Sequence, residues 1–117
     1  MKYPSLCFAA LACAFAAPAS ARAQDWRFCI GVAPASHEAV ITDIFASSAD
    51  SGVLERRFEI WFQARKSRAL TFQCPRGGER LDALNAQTTA LQFNRRMGFS
   101  IGSLPAAEIP AILGAAN

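Results

Sequence analysis

The residues of this chain best placed to do chemistry are a cysteine and an arginine, in the stretch Cys74-Pro75-Arg76-Gly77-Gly78-Glu79-Arg80. The stretch reads as the end of a strand, a Pro/Gly loop and the start of a helix. A thiol in that position can act as a nucleophile. Helix N-terminal amides and a guanidinium hold a phosphate, and the same field lowers the thiol pKa. Gly77, Gly78 and Arg80 are the residues that would cradle such an anion. The competing reading makes Cys74 one half of a disulfide with Cys29. Glu79 puts negative charge where the phosphate would lie, and Pro75 removes one amide donor.

The compartment favours the disulfide. Residues 1–23 have the pattern of a secretory signal peptide: Lys2, the apolar run Leu6–Ala17, and Ala21-Arg22-Ala23 as a cleavage site before Gln24. The run is twelve residues long, short of the roughly 20 that span a bilayer. Ala10-Leu11-Ala12-Cys13 offers a second outcome, lipid anchoring through Cys13, although Ala10 stands where a lipobox usually has Leu. After cleavage at Gln24 only Cys29 and Cys74 remain, and an even pair in an oxidising compartment reads as a disulfide. Closing that loop stabilises the fold by about 4 kcal/mol in the chain-entropy account, a large share for so small a domain.

The chain of 117 residues carries 12 basic and 9 acidic side chains. Loss of Lys2 and Arg22 leaves ten and nine, a net charge near +1. That balance points to no strongly charged partner and no nucleic acid. His37 is the one histidine; with two bridged cysteines it cannot supply the three or four ligands of a zinc site. No cofactor-binding loop is present, and no catalytic set.

Four strands and two helices must position these residues. Phe28–Val32 and Ala39–Phe45 are β-prone runs joined by a loop containing Pro34 and His37. Helix 53–68 follows a Ser/Asp/Gly turn, with Val53, Leu54, Phe58, Ile60, Trp61 and Phe62 on one arc. Arg57 stands one turn before Trp61, over the indole or reaching outward. Residues 69–74 alternate, with Leu70, Phe72 and Cys74 on one face and Thr71 and Gln73 on the other. Helix 78–97 ends at Gly98, its arc including Leu81, Leu84, Leu91, Phe93 and Met97. Phe99–Leu104 is the last strand, and the Ala/Pro-rich tail 105–117 is loose or surface-docked.

A hairpin followed by helical crossovers makes the second, third and fourth strands parallel. Cys29 and Cys74 then lie at the same end of the sheet, and a disulfide needs Cα atoms about 5.5 Å apart. This places the first strand beside the third and predicts the order 2-1-3-4. Cys29 alternates away from Phe28, Ile30 and Val32. Either the first strand is buried on both faces or the bridge forms outside the ladder.

Three resemblances attach to these motifs. Cys74–Arg80 resembles the C-x5-R loop of cysteine-dependent protein tyrosine phosphatases, with Leu81 where that family has a hydroxyl residue. Trp61-Phe62-Gln63-Ala64-Arg65 is similar to the W-F-x-N-R signature of the homeodomain recognition helix, but Ala64 replaces the adenine-reading asparagine. Trp26-Arg27-Phe28-Cys29, Gln73-Cys74-Pro75 and Phe93-Asn94-Arg95-Arg96-Met97-Gly98 together resemble short exported bacterial proteins of unknown function. That resemblance implies a paired-cysteine α/β domain.

The expectation is an α+β domain over 24–104: order ββαβαβ, a four-stranded mixed sheet, and two helices on one face. Phe58, Phe62, Phe72, Leu81, Leu84, Leu91 and Ile101 form its core. It is periplasmic or secreted and acts as a non-catalytic binding or structural module for a protein or envelope polymer. Its binding face is the more polar side of the sheet: Thr71, Gln73 and Ser100. The alternative is a phosphatase or thiol enzyme using Cys74 and Arg80.

Overall fold

The computed structural model of the chain describes residues 25–115. Residues 1–23, read from the sequence as a signal peptide, and Cys13 within them lie outside the described residues. Within them the order is β1 (Asp25–Arg27), β2 (Ile30–Ala33), β3 (Glu38–Thr42), β4 (Phe45–Ser47), α1 (Ser51–Lys66), β5 (Thr71–Gln73), β6 (Arg76–Gly78), α2 (Arg80–Arg96), β7 (Ser100–Leu104) and α3 (Ile109–Ala115). The described residues form an α+β fold, with three α-helices, a four-stranded mixed sheet β5-β2-β3-β7 and a three-stranded antiparallel sheet β4-β1-β6.

β2 and β3 form a hairpin, β5 runs antiparallel to β2, and β7 runs parallel to β3. The expected strand directions are therefore present, but the expected order 2-1-3-4 is not. The last strand adds beside β3, at the opposite edge from β5. The helices also divide between the two faces instead of sharing one. Leu54, Phe58, Trp61 and Phe62 of α1 pack with Cys29, Val40, Phe72 and Cys74. Ala90 and Leu91 of α2 pack with Phe28, Ile30 and Ile41 on the other side. Both departures have one cause. The β3–α1–β5 crossover moves one way across the sheet and β5–α2–β7 moves back, and connections of one hand that reverse direction put their helices on opposite faces.

Burial on both faces resolves the position of Cys29. Phe28, Cys29 and Ile30 are all buried, with Cys29 just before β2 and Cys74 just after β5. Their sulfurs are 2.08 Å apart, a disulfide. On the α1 face, Phe58 and Phe62 bracket Phe72 at ring-centroid distances of 5.3 and 5.4 Å.

The segment after Leu104 is not a loose tail. Pro105 precedes a 3-10 turn at Ala106–Glu108, and Pro110 sits in the first turn of α3, where a missing N–H costs nothing. Ile109 and Ile112 are buried in the α1-side core. Arg57 donates to the Leu113 carbonyl at 3.0 Å, and Lys66 takes the place over Trp61, 5.7 Å from the ring centroid.

α2 is rotated from its expected face. Ala83 is its buried residue, with Leu84, Gln87, Ala90, Leu91 and Asn94 half-buried. Leu81, assigned to the core from the apolar arc, is 65 % exposed; Phe93 and Met97 are more than half exposed. The closest approach fixes the rotation: a Cβ on Gly77 would lie 2.6 Å from Ala83 Cβ. β6 and the start of α2 meet backbone to backbone, which turns Ala83 inward and Leu81 out.

Candidate functional site

Around Cys74 the structure builds an anchor. The stretch read as a Pro/Gly loop contains β6, which pairs with β1 through Trp26↔Gly78 and Arg27↔Arg76. Arg27 is fully buried. Its guanidinium donates to the carbonyl oxygens of Ala49 and Cys74 and, at 2.5 Å, to Ser51 Oγ. Ser51 Oγ donates in turn to the Cys74 carbonyl at 2.8 Å. Burial pushes the Arg27 pKa down and Arg76 adds to the shift; Asp25, Asp50 and Glu55 oppose it. Arginine retains its proton regardless. Arg27 thus ties β1, the start of α1 and the disulfide into one polar knot, though its Nε has no partner among the described residues.

Gly77, Gly78 and Arg80, read as an anion cradle, each have a structural place of their own. Cys74 has no exposed surface and its sulfur is bonded to Cys29. The Arg80 guanidinium lies over the Trp26 ring, 5.7 Å from its centroid. Gly77 is consumed by the approach of α2, and Gly78 supplies a left-handed turn at φ 73°. His37 sits in a tight turn with its ring edge-on to Phe99 at 5.5 Å.

The outer edge of β5 is closed. Its outward amides, Phe72 N–H and Cys74 N–H, each donate at 3.0 Å to α1 carboxylates, Glu59 and Glu55 respectively. Satisfied edge amides cannot template another strand.

Thr71 and Gln73 do share a face. They oppose Val32 and Ile30 in the register and point to the α2 side. Ser100 does not join them: it opposes Glu38 in β7, and the alternation of a strand puts it on the other face. It borders a small polar groove with Glu38 and Arg68 instead, where Arg68 and Glu38 form a 2.7 Å ion pair.

Beside Thr71 and Gln73 lies a cleft of about 770 Å3 between the sheet and α2. Its floor is Phe28, Ile30 and Val32, and Thr71, Gln73 and Pro75 form one wall. Ala86, Ala90, Phe93 and Met97 line the helix side. Arg96 is the one charged residue among its described lining residues, and Phe99 closes that end. The cleft exists because α2 is held tightly at Gly77–Ala83 while its later turns leave Phe93 and Met97 off the sheet. Thr89 donates its hydroxyl hydrogen, and Asn94 one of its two amide hydrogens, to backbone carbonyls of their own helix. The volume falls in the range of about 300–1,000 Å3 typical of small-molecule sites, which are mostly apolar with a few polar groups.

Thr71 and Gln73 were accessible to sequence reasoning through their alternation. Phe93, Met97 and Arg96 were not, because an apolar helical arc looks the same whether it closes on a sheet or stands off it. Among the described residues, no group of three or more potential metal ligands occurs and no helix is long and apolar enough to cross a membrane. Comparison with protein-family models, curated protein sequences and solved structures gave no match.

Proposed function

We propose that this chain is an exported, disulfide-stapled binding module, without catalytic activity, whose site is the cleft between the sheet and α2. The observation carrying this reading is the cleft's chemistry. Phe28, Ile30, Val32, Phe93 and Met97 surround an apolar space of about 770 Å3. Exposing Phe93 and Met97 to water is unfavourable at about 25 cal/mol per Å2 of apolar surface; a ligand that covers them recovers that free energy. The lining favours a small apolar molecule over the protein or envelope polymer suggested by Thr71 and Gln73 alone.

Export, to the periplasm or beyond it, is supported by the pattern of residues 1–23 and is compatible with the disulfide. Intact mass separates the outcomes. A chain beginning at Gln24, two hydrogens lighter than its reduced form, supports the module as stated. A chain beginning at Cys13 supports lipid anchoring. Two free thiols would return Cys74 to the enzyme reading.

The cleft is tested by fluorescence titration of the exported protein with the uncharged apolar probe N-phenyl-1-naphthylamine. Saturable enhancement, abolished by Ala86→Trp, is expected. Ala86 is exposed, so the indole fills the cleft without entering the core. Enhancement unchanged by that substitution, or none at all, would remove the cleft as the site.

A further inference from the structure

Resting on the cleft as the binding site, we infer that its ligand is a monomeric single-chain amphiphile with an anionic head. Arg96 receives the head, and the tail lies along Phe28, Ile30 and Phe93.

The two ends of the cleft differ. β5 begins at Thr71, opposite Val32, and β2 ends one residue later at Ala33. Ser100 donates its amide to the His37 carbonyl, which brings Phe99 and the end of α2 to that same end of the sheet. Thr71, Arg96 and Phe99 therefore share one end. Pro75 and Ala86 mark the other, beside Phe28. Arg96, the one charged residue among the described lining residues, lies with Thr71 at the first end, and Phe28, Pro75 and Ala86 lie at the second.

The charge at the polar end is uncompensated. Arg96 makes no ion pair with any described residue, whereas Arg68 and Arg76 both do. Gln73 and Thr71 also have no side-chain partner among the described residues. They offer an amide and a hydroxyl that can donate to a carboxylate, while the guanidinium supplies the paired N–H geometry that carboxylates match. One effect opposes this: α2 ends here, and its last carbonyls carry partial negative charge. Arg95 and Arg96 occupy that last turn. Two full charges outweigh about half an elementary charge, so the end is net positive and a cationic head is disfavoured.

The test is isothermal titration of the exported protein with dodecanoate and dodecyltrimethylammonium below their micelle concentrations and 1-dodecanol below its solubility limit, for the native chain and Arg96→Gln. Dodecanoate is expected to bind tightest. Arg96→Gln should weaken it by roughly threefold to tenfold, as for a partly exposed charged hydrogen bond, and weaken 1-dodecanol by less. Arg96 is exposed, so the variant folds. Equal binding of all three ligands with no effect of Arg96→Gln would overturn the anionic head while leaving the cleft standing. Preference for the ammonium would also overturn it. Failure of all three to bind would overturn the cleft reading itself.

Discussion

Gly31 and Phe72 face each other directly across β2 and β5, and a Cβ on Gly31 would lie 2.5 Å from Phe72 Cζ and 2.7 Å from both Cε atoms. Phe72 occupies the space that a side chain on β2 would take. Phe58 and Phe62 hold the ring from the helix side, so it has no room to withdraw. Gly31→Ala is expected to cost about 2–3 kcal/mol, as overpacking does. Combining it with Phe72→Leu should recover part of that loss. Urea denaturation of the four members of the cycle measures the coupling.

Arg27 is the second sensitive position. Arg27→Ala leaves the buried Ala49 carbonyl without its guanidinium donor and the Cys74 carbonyl with Ser51 alone, a loss of about 1–3 kcal/mol. Arg27→Lys should not restore stability, since one ammonium cannot reach the Ala49 carbonyl, Ser51 and the Cys74 carbonyl with a guanidinium's geometry. The sign of the pH effect follows from the lowered pKa. The unfolded chain holds this proton more tightly, so stability rises with pH only between the lowered value and the ordinary arginine value. That interval lies far above neutrality. Thermal denaturation midpoints should therefore carry no Arg27-dependent slope from about pH 5 to 9.

Reduction removes the constraint on a loop with a sequence separation of 45. A Cys29→Ala/Cys74→Ala variant is expected to lose about 2–4 kcal/mol relative to the oxidised protein. Because both sulfurs are fully buried, thiol labelling after addition of reductant should proceed at the rate of opening. Rapid native-state labelling of Cys74 alone would contradict the anchor role.

Glu55 and Glu59 protect the β5 edge. Replacing either with Ala leaves an edge amide without its acceptor, a loss of about 1–2 kcal/mol. Hydrogen exchange should accelerate at Cys74 N–H in Glu55→Ala and at Phe72 N–H in Glu59→Ala. The double variant should aggregate more readily, because the freed edge can pair with another chain.

The strands of the larger sheet and the first helix were legible because their signals extend over at least four residues: the apolar β-prone runs Phe28–Val32 and Ala39–Phe45, the alternation through Phe72, and the helical arc Leu54–Phe58–Trp61. The cysteine pairing followed from compartment and topology. β1, β4 and β6 were not legible, since three residues carry no period and Arg76-Gly77-Gly78 has turn composition. Their pairing is tertiary, held by the buried Arg27. Nor could the arc of α2 reveal its orientation. Gly77 determines which side meets the sheet, and a glycine records a close approach without naming its partner. The cleft follows from that approach, so its lining was hidden while its polar wall, Thr71 and Gln73, was visible.

The most direct test of the binding account is a two-dimensional 1H–15N spectrum of the labelled protein titrated with dodecanoate. The account predicts progressive shifts in the amides of 28–32, 71–73 and 86–99, with the α1 and α3 amides little changed. Shifts confined to α1 and α3, or none at ligand concentrations just below micelle formation, would contradict it.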